Sequence, residues 1–356
     1  MNRRDFLKTL PPFSVTFALT SCGATGSPDA PASTVTREVM TVLGPVAAGA
    51  LGITLTHEHL IADMRPYAEQ LRTPIGVDPD EVLEVVLPHL AALSRLGCRT
   101  LIESTAVGLG RSPAILKRIS EESGLNVVTV TGNYAAVEGQ FLPPYVVTDS
   151  VDELAARWIG EWQEGIDGTG IRPGFIKLGF GGGPLNDAER KLIRAAAIAH
   201  LETGLTIGAH TTTAVSAFEQ LAVLEAAGVN PSAWVWIHAH EEPDLSHQAR
   251  AARAGAWISF DGINQGTVDA HVAMVAHLRD ERLLNRVMVS QDAGWYTIGE
   301  PRGGDFRPFD LAFTEFVPAL RAIGLADHEI GQIFVENPGQ AYGIAVRGSA
   351  GLNAQG

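Results

Sequence analysis

Side chains able to hold a metal ion recur along this 356-residue chain at intervals that repeat a unit length. His57 and His59 flank Glu58; Lys177, His210, a His238/His240 pair and Asp292 follow. Lys177 and His210 are 33 residues apart, His210 and His238 are 28, and His238 and Asp292 are 54, close to one, one and two strand-plus-helix units. Histidine offers a neutral nitrogen and aspartate an anionic oxygen, donors that suit zinc and similar cations. A cluster of imidazoles, an amine and a carboxylate is costly to bury unless cations hold it together. The chemistry such a set supports is metal-assisted hydrolysis, because water on a divalent ion has its pKa lowered to about 7.

Short apolar runs show which elements must position these groups. Candidate strands are 53–59, 99–105, 126–132, 174–180, 205–211, 234–240, 256–262 and 286–292. Most are apolar on both faces, as in parallel strands covered on both sides. Helical stretches such as 80–96 and 187–203 alternate with them, and Asn186 with Glu189 has the form of a capping box. Gly97, Gly124, Gly204 and Gly255 stand where a helix must stop before the next strand. Eight such repeats in about 300 residues predict an α/β fold, a (β/α)8 TIM barrel in a single domain. A doubly wound sheet is the competitor, but the first strand ends in His57-Glu58-His59 and not in a glycine-rich phosphate turn. Residues 39–50 read as a small hairpin able to cover the bottom of the barrel. Strand side chains alternate, so His57 and His59 point one way and Glu58 the other. The same period puts His238 and His240 on one face of the sixth strand and leaves the choice between them open.

Composition narrows the partners. A net charge of −14 repels phosphate backbones, so nucleic acid is not an expected partner. Two cysteines, Cys22 and Cys98, exclude a disulfide framework, and Cys98 reads as a buried, inert thiol. No apolar run is long enough for an ordinary spanning helix. The start Arg3-Arg4-Asp5-Phe6-Leu7-Lys8 resembles a twin-arginine export signal, and Leu19-Thr20-Ser21-Cys22 a lipoprotein cleavage site. The expected organisation is therefore a signal over 1–21, a flexible tether over 22–36, the barrel over 37–346 and a tail over 347–356. The expected location is the bacterial cell envelope on the periplasmic side, with membrane contact only through a lipid on Cys22.

Leu43-Gly44-Pro45, Thr54-Leu55-Thr56-His57-Glu58-His59, Gly174-Phe175-Ile176-Lys177, Gly208-Ala209-His210-Thr211 and Ser290-Gln291-Asp292 together resemble the phosphotriesterase family of the amidohydrolase superfamily, over about residues 39–344. The resemblance implies two divalent metal ions, usually Zn2+. His57, His59 and Asp292 would hold the more buried ion, His210 and His238 the outer one, and a Lys177 carbamate would bridge them. A protonated amine would be repelled by a dication, whereas CO2 on the neutral amine gives an anion with two oxygens. His238 is preferred over His240 because Trp236-Ile237-His238-Ala239 matches the family run. Asp292 would accept or pass on the proton. Asp261 would belong to a proton relay or shape the pocket; the family follows it with His or Arg, and here Gly262 stands there, which puts that relay in doubt. Tyr134 sits where relatives place an aromatic pocket residue and is expected to contact the leaving group or lactone oxygen. Trp295 and Tyr296 are expected to form one pocket wall, and Gly181-Gly182-Gly183 a turn at the mouth rather than a phosphate loop. His89, His200, His247, His271, His277 and His328 are expected at the surface.

The expected function is a binuclear hydrolase that attacks lactone, carboxylic ester or phosphotriester bonds with a metal-bridging hydroxide. Its expected partner is a small ester or lactone, and relatives of this kind are often dimers, which makes a homodimer an option. The rivals are a C–N hydrolase or deaminase of the same superfamily and a non-catalytic envelope binding protein on the same barrel.

Overall fold

The protein was analysed as a computed structural model that describes residues 37–349. Residues 1–36, on which the expected export signal, Cys22 and the expected tether fall, lie outside the described residues, as does the end of the expected tail. Strands β1 (Glu38–Thr41) and β2 (Gly44–Ala47) form the antiparallel hairpin, with Thr41 opposite Gly44 at the turn. The barrel staves follow in chain order: β3 (Ile53–Ala62), β4 (Cys98–Glu103), β5 (Asn126–Val128) continued by β6 (Val130–Thr131), β7 (Phe175–Gly179), β8 (Thr206–His210), β9 (Trp234–Ile237), β10 (Trp257–Phe260) and β11 (Val287–Val289). Neighbouring staves pair in parallel from β3 to β5 and from β6 to β11. The circle closes between β11 and β3, where Asp292 N–H donates to the His57 carbonyl at 3.1 Å and His57 N–H donates to Ser290 Oγ at 3.0 Å. This is the expected TIM barrel.

Local signals act as the sequence suggests. The helix Asp187–Thr203 opens on the reciprocal Asn186/Glu189 capping box and ends at Gly204 in the left-handed region. Gly97, Gly124 and Gly255 also have positive φ at their helix–strand turns. Apolar side chains fill two regions. Leu55, Leu101, Ile176 and Ile207 face the helices in the larger cluster. Ile102, Val128, Phe175, Val235, Trp257 and Met288 fill the barrel interior together with Val39 and Leu51 from the amino-terminal hairpin segment. Burying one such side chain fully contributes about 1.5–3 kcal/mol relative to exposure. Among the described residues no helix is long and apolar enough to cross a membrane.

Two strand boundaries differ from expectation in ways that shape the site. β3 runs on to Ala62, three residues past His59, because an additional strand, β12 (Gly294–Thr297), pairs with its upper half. The sixth stave stops at Ile237, and His238 turns into the left-handed region with φ +62° before the short turn Ala239–Glu241. His238 and His240 are therefore not on one strand face. The buried Asp261 carboxylate accepts the His238 N–H at 3.1 Å and so draws the backbone out of the strand.

Candidate metal centre

His57 and His59 share the inner face of β3, and their Nε2 atoms lie 3.3 Å apart. Asp292 Oδ1 completes a triangle, 3.6 Å from His57 Nε2 and 3.3 Å from His59 Nε2. Asp292 reaches this position through a left-handed backbone, φ +50°. Glu58, on the opposite face of β3, holds the turn that carries it: Ser290 Oγ, Gln291 N–H and Ala293 N–H donate to its carboxylate at 2.7, 3.0 and 2.6 Å. Burial pushes Glu58 up to about 8, and those three donors act the other way. Asp292 Oδ1 is buried and has no hydrogen-bond partner. Burial, then the Lys177 charge, keeps both histidines well below the usual imidazole range, so their nitrogen lone pairs are available. Two neutral imidazole nitrogens and an unpartnered carboxylate oxygen converging on one point fit a divalent cation.

The other half of the centre faces this triangle. Lys177, buried on β7, has Nζ 3.5 Å from His57 Nδ1, and burial lowers its amine to about 8 despite Asp261, Asp292 and Glu103 nearby. An amine so lowered has an appreciable neutral fraction near neutrality, the form that adds CO2. His210 at the end of β8 and His238 pack edge to face, ring centres 4.4 Å apart, and His238 lies 4.9 Å from His57. Burial, then His238 and Lys177, holds His210 well below its usual range. The Tyr134 hydroxyl is 3.1 Å from His210 Nδ1. Its ring lies over Gly179, where a Cβ would come 2.3 Å from Tyr134 Cδ2. Asp261 is fully buried and receives the His238 N–H, His238 Nδ1 at 2.7 Å and the Ser259 hydroxyl at 2.9 Å. Burial alone would raise this carboxyl, but His238 and His57 with the hydrogen bonds hold it well below its usual range.

The structure thus brings His57, His59, Lys177, His210, His238, Asp261 and Asp292 together, with Tyr134 against His210. Ligand atoms of His57, His59 and Asp292 form one compact set, and those of His238, His240 and Asp261 a second. His240 lines the cavity of about 310 Å³ that opens on the centre, beside Glu241, Asn264, Thr267 and Arg307. Its ring fills the space above Gly262, where a Cβ would lie 2.2 Å from Nε2.

Several side chains stand where the sequence did not put them. Trp295 stacks on His59 at 3.8 Å, but Tyr296 does not form the pocket wall expected of it. Alternation along β12 turns Tyr296 outward, where its hydroxyl donates to Glu81 on the helix Pro79–Arg95. His200 and His271 are buried, not at the surface; His200 donates from Nδ1 to the Leu205 carbonyl and accepts the Arg347 N–H. Arg307, which holds the Asp292 carbonyl at 2.5 Å, and the pair Glu103 and Thr105 behind His59 carried no motif that points to them. Cys98 is buried, its thiol pushed up to about 12.

Comparison with known proteins agrees with this geometry. The profile of the phosphotriesterase family matches residues 37–342. A phosphotriesterase homology protein of Escherichia coli is 33% identical over 82% of this chain and 98% of its own length. An aryldialkylphosphatase of Saccharolobus solfataricus is 29% identical over 81% of this chain and 94% of its own. Among solved structures, a mutant PTE-like lactonase of Deinococcus radiodurans superposes with a TM-score of 0.78 at 30% identity, covering 86% of this chain and all of that one. With a metal-ligand set on barrel strand ends and a profile match over nearly the whole described chain, the protein belongs to the phosphotriesterase family of the amidohydrolase superfamily.

Proposed function

We propose that this protein is a binuclear zinc hydrolase whose preferred substrates are lactones or carboxylic esters. The observation that carries the reading is the convergence of His57 Nε2, His59 Nε2 and the unpartnered Asp292 Oδ1 on one point, beside a cavity that Asp292, His210 and His238 line. His57, His59 and Asp292 would hold one ion and His210 with His238 the other, with a Lys177 carbamate offering an oxygen to each. Ions held there supply Lewis acidity toward a carbonyl or phosphoryl oxygen and a water of lowered pKa that serves as nucleophile.

The chain's own groups do the rest. Asp261 fixes His238 by taking its N–H and its Nδ1 proton. The Tyr134 hydroxyl, hydrogen-bonded to His210 Nδ1, holds the His210 ring in place. Asp292 takes the proton released when water oxygen bonds to the acyl carbon; the C–O bond to the leaving group breaks, and the proton leaves with that oxygen. Trp295 covers His59 and keeps bulk water from the inner ligands.

The lactone preference draws on the Deinococcus radiodurans PTE-like lactonase at 30% identity. A second reading, C–N bond hydrolysis, draws on a human N-acetyltaurine hydrolase, 25% identical over 86% of this chain and 98% of its own length. A panel of lactones, esters, phosphotriesters and N-acyl amino compounds decides between them. Lys177→Ala is expected to lower hydrolysis by orders of magnitude and to lower metal content. Amide turnover without ester or lactone turnover overturns the first reading; a metal-loaded protein that turns over nothing in the panel overturns both in favour of a binding role. The twin arginines and Cys22 support an exported, lipid-anchored protein: labelled lipid should appear on the wild type and not on Cys22→Ala, and equal labelling would refute the anchor.

A further inference from the structure

Behind the His57, His59 and Asp292 set, a buried carboxylate reaches one of the ligands through a hydroxyl. Glu103 ends β4, and Thr105 follows it; both are fully buried. Thr105 Oγ1 lies 2.8 Å from His59 Nδ1, and the same oxygen is hydrogen-bonded to Glu103 Oε1. Thr105 N–H donates to Glu103 Oε2 at 3.2 Å, and Leu60 N–H donates to the same carboxylate. A hydroxyl has a single proton to give. Once Glu103 is ionised, its carboxylate, which receives the Thr105 N–H, also draws the Thr105 hydroxyl proton. A Thr105 lone pair then faces His59 Nδ1, that nitrogen carries the imidazole proton, and Nε2 keeps its lone pair. Nε2 is the atom that meets His57 Nε2 and Asp292 Oδ1.

We propose that Glu103 and Thr105 form a positioning chain that holds His59 in its Nδ1–H tautomer and thereby reserves Nε2 for a cation. With the chain reversed, the hydroxyl proton points at Nδ1, the imidazole proton moves to Nε2, and the cation loses a ligand. Trp295 stacks on the His59 ring and fixes its plane, but stacking does not distinguish one tautomer from the other. A hydrogen bond from the remote nitrogen of a metal-binding histidine orients the ring and raises its basicity. This inference rests on the metal centre proposed above and concerns the inner ion alone.

The test uses the full chain loaded with zinc, and reads the release of each ion to a chromogenic chelator beside thermal melting. Burial raises Glu103 to about 8, so release is followed at about pH 9, where the carboxylate is the anion. Thr105→Val keeps the shape and removes the hydroxyl; Thr105→Ser restores it. One ion is expected to leave about 10–100-fold faster from Thr105→Val and at the wild-type rate from Thr105→Ser, with the second ion unchanged. Glu103→Gln can give an amide proton to Thr105 and reverse the chain, so it too speeds release of that one ion. The double variant should be no faster than Thr105→Val, because both changes break one chain. Should Thr105→Val fold poorly, Glu103→Gln carries the same test. Wild-type release from both Thr105→Val and Glu103→Gln, equal loss from the Val and Ser variants, or equal acceleration of both ions would overturn the positioning chain. A wild type that binds no zinc overturns the metal centre itself, and the chain with it.

Discussion

Gly262 and His240 compete for one volume. The imidazole stands where the first carbon of any larger residue at 262 would stand, and it reaches toward Asp261 at 3.4 Å and the His271 ring at 5.0 Å. Gly262→Ala should push His240 into the cavity at a cost of about 1–3 kcal/mol. The expected result is a folded, metal-loaded enzyme with KM raised several-fold and substrate preference moved toward smaller esters. Unchanged KM across the panel would contradict this. At this scale the sequence was informative wherever a residue acts through its own type and period. His57 and His59 announce themselves by a spacing of two, and Asp292 by its place at the end of the eighth candidate strand. Thr105, Glu103 and Arg307 could not be read that way. Glu103 faces Glu58 across the β3–β4 register, and Arg307 reaches the Asp292 carbonyl from a separate loop. Their roles exist only once strands are laid side by side.

Elements carry constraints of their own. Gly132, at the end of the third stave, has φ +102°, and a Cβ there would lie 2.2 Å from the Lys177 carbonyl. Gly132→Ala combines a backbone conformation unfavourable to L-residues with a clash against β7 backbone. It should destabilise by about 3 kcal/mol or more, read from urea unfolding midpoints. Asn186→Ala removes only a cap and should cost about 1 kcal/mol by the same measurement, leaving metal content unchanged. Helix limits and turn glycines were legible because caps and positive φ are local chemistry. The upper part of β3 was not, since its length depends on β12, which only forms once Gly294 has found His59. The end of the sixth stave likewise depends on Asp261, a residue from the next unit.

For the whole molecule, ligand binding and folding are linked. A cation that binds only the folded chain stabilises it by about 2.7 kcal/mol at a hundredfold excess over Kd. Prolonged chelation should therefore lower the melting temperature, and zinc with bicarbonate should restore it; a melting curve indifferent to metal would contradict the centre. The metal-free protein should also weaken in acid. His57, His59 and His210 are held well below 6.5, so under pH 6.5 the unfolded chain binds protons that the folded chain refuses. Stability then falls as pH falls, and above pH 6.5 these groups contribute nothing to the slope. His210→Gln removes one of them, so between about pH 6.5 and 5 its melting should depend less on pH, by about 1 kcal/mol per pH unit. An equal slope would show that His210 is not held neutral.

The amino-terminal hairpin sets a direction on traffic through the barrel. Val39 and Leu51 join Phe175 and Tyr342 in a packed floor, and Val42 N–H donates to the Val127 carbonyl at 2.8 Å, so the lower rim is stoppered. Whatever enters must leave by the same door. On the proposed ester reading, the acid and alcohol set free at the bottom of a blind well would have to pass the incoming substrate, and spent fragments should compete with it for the entrance as turnover proceeds.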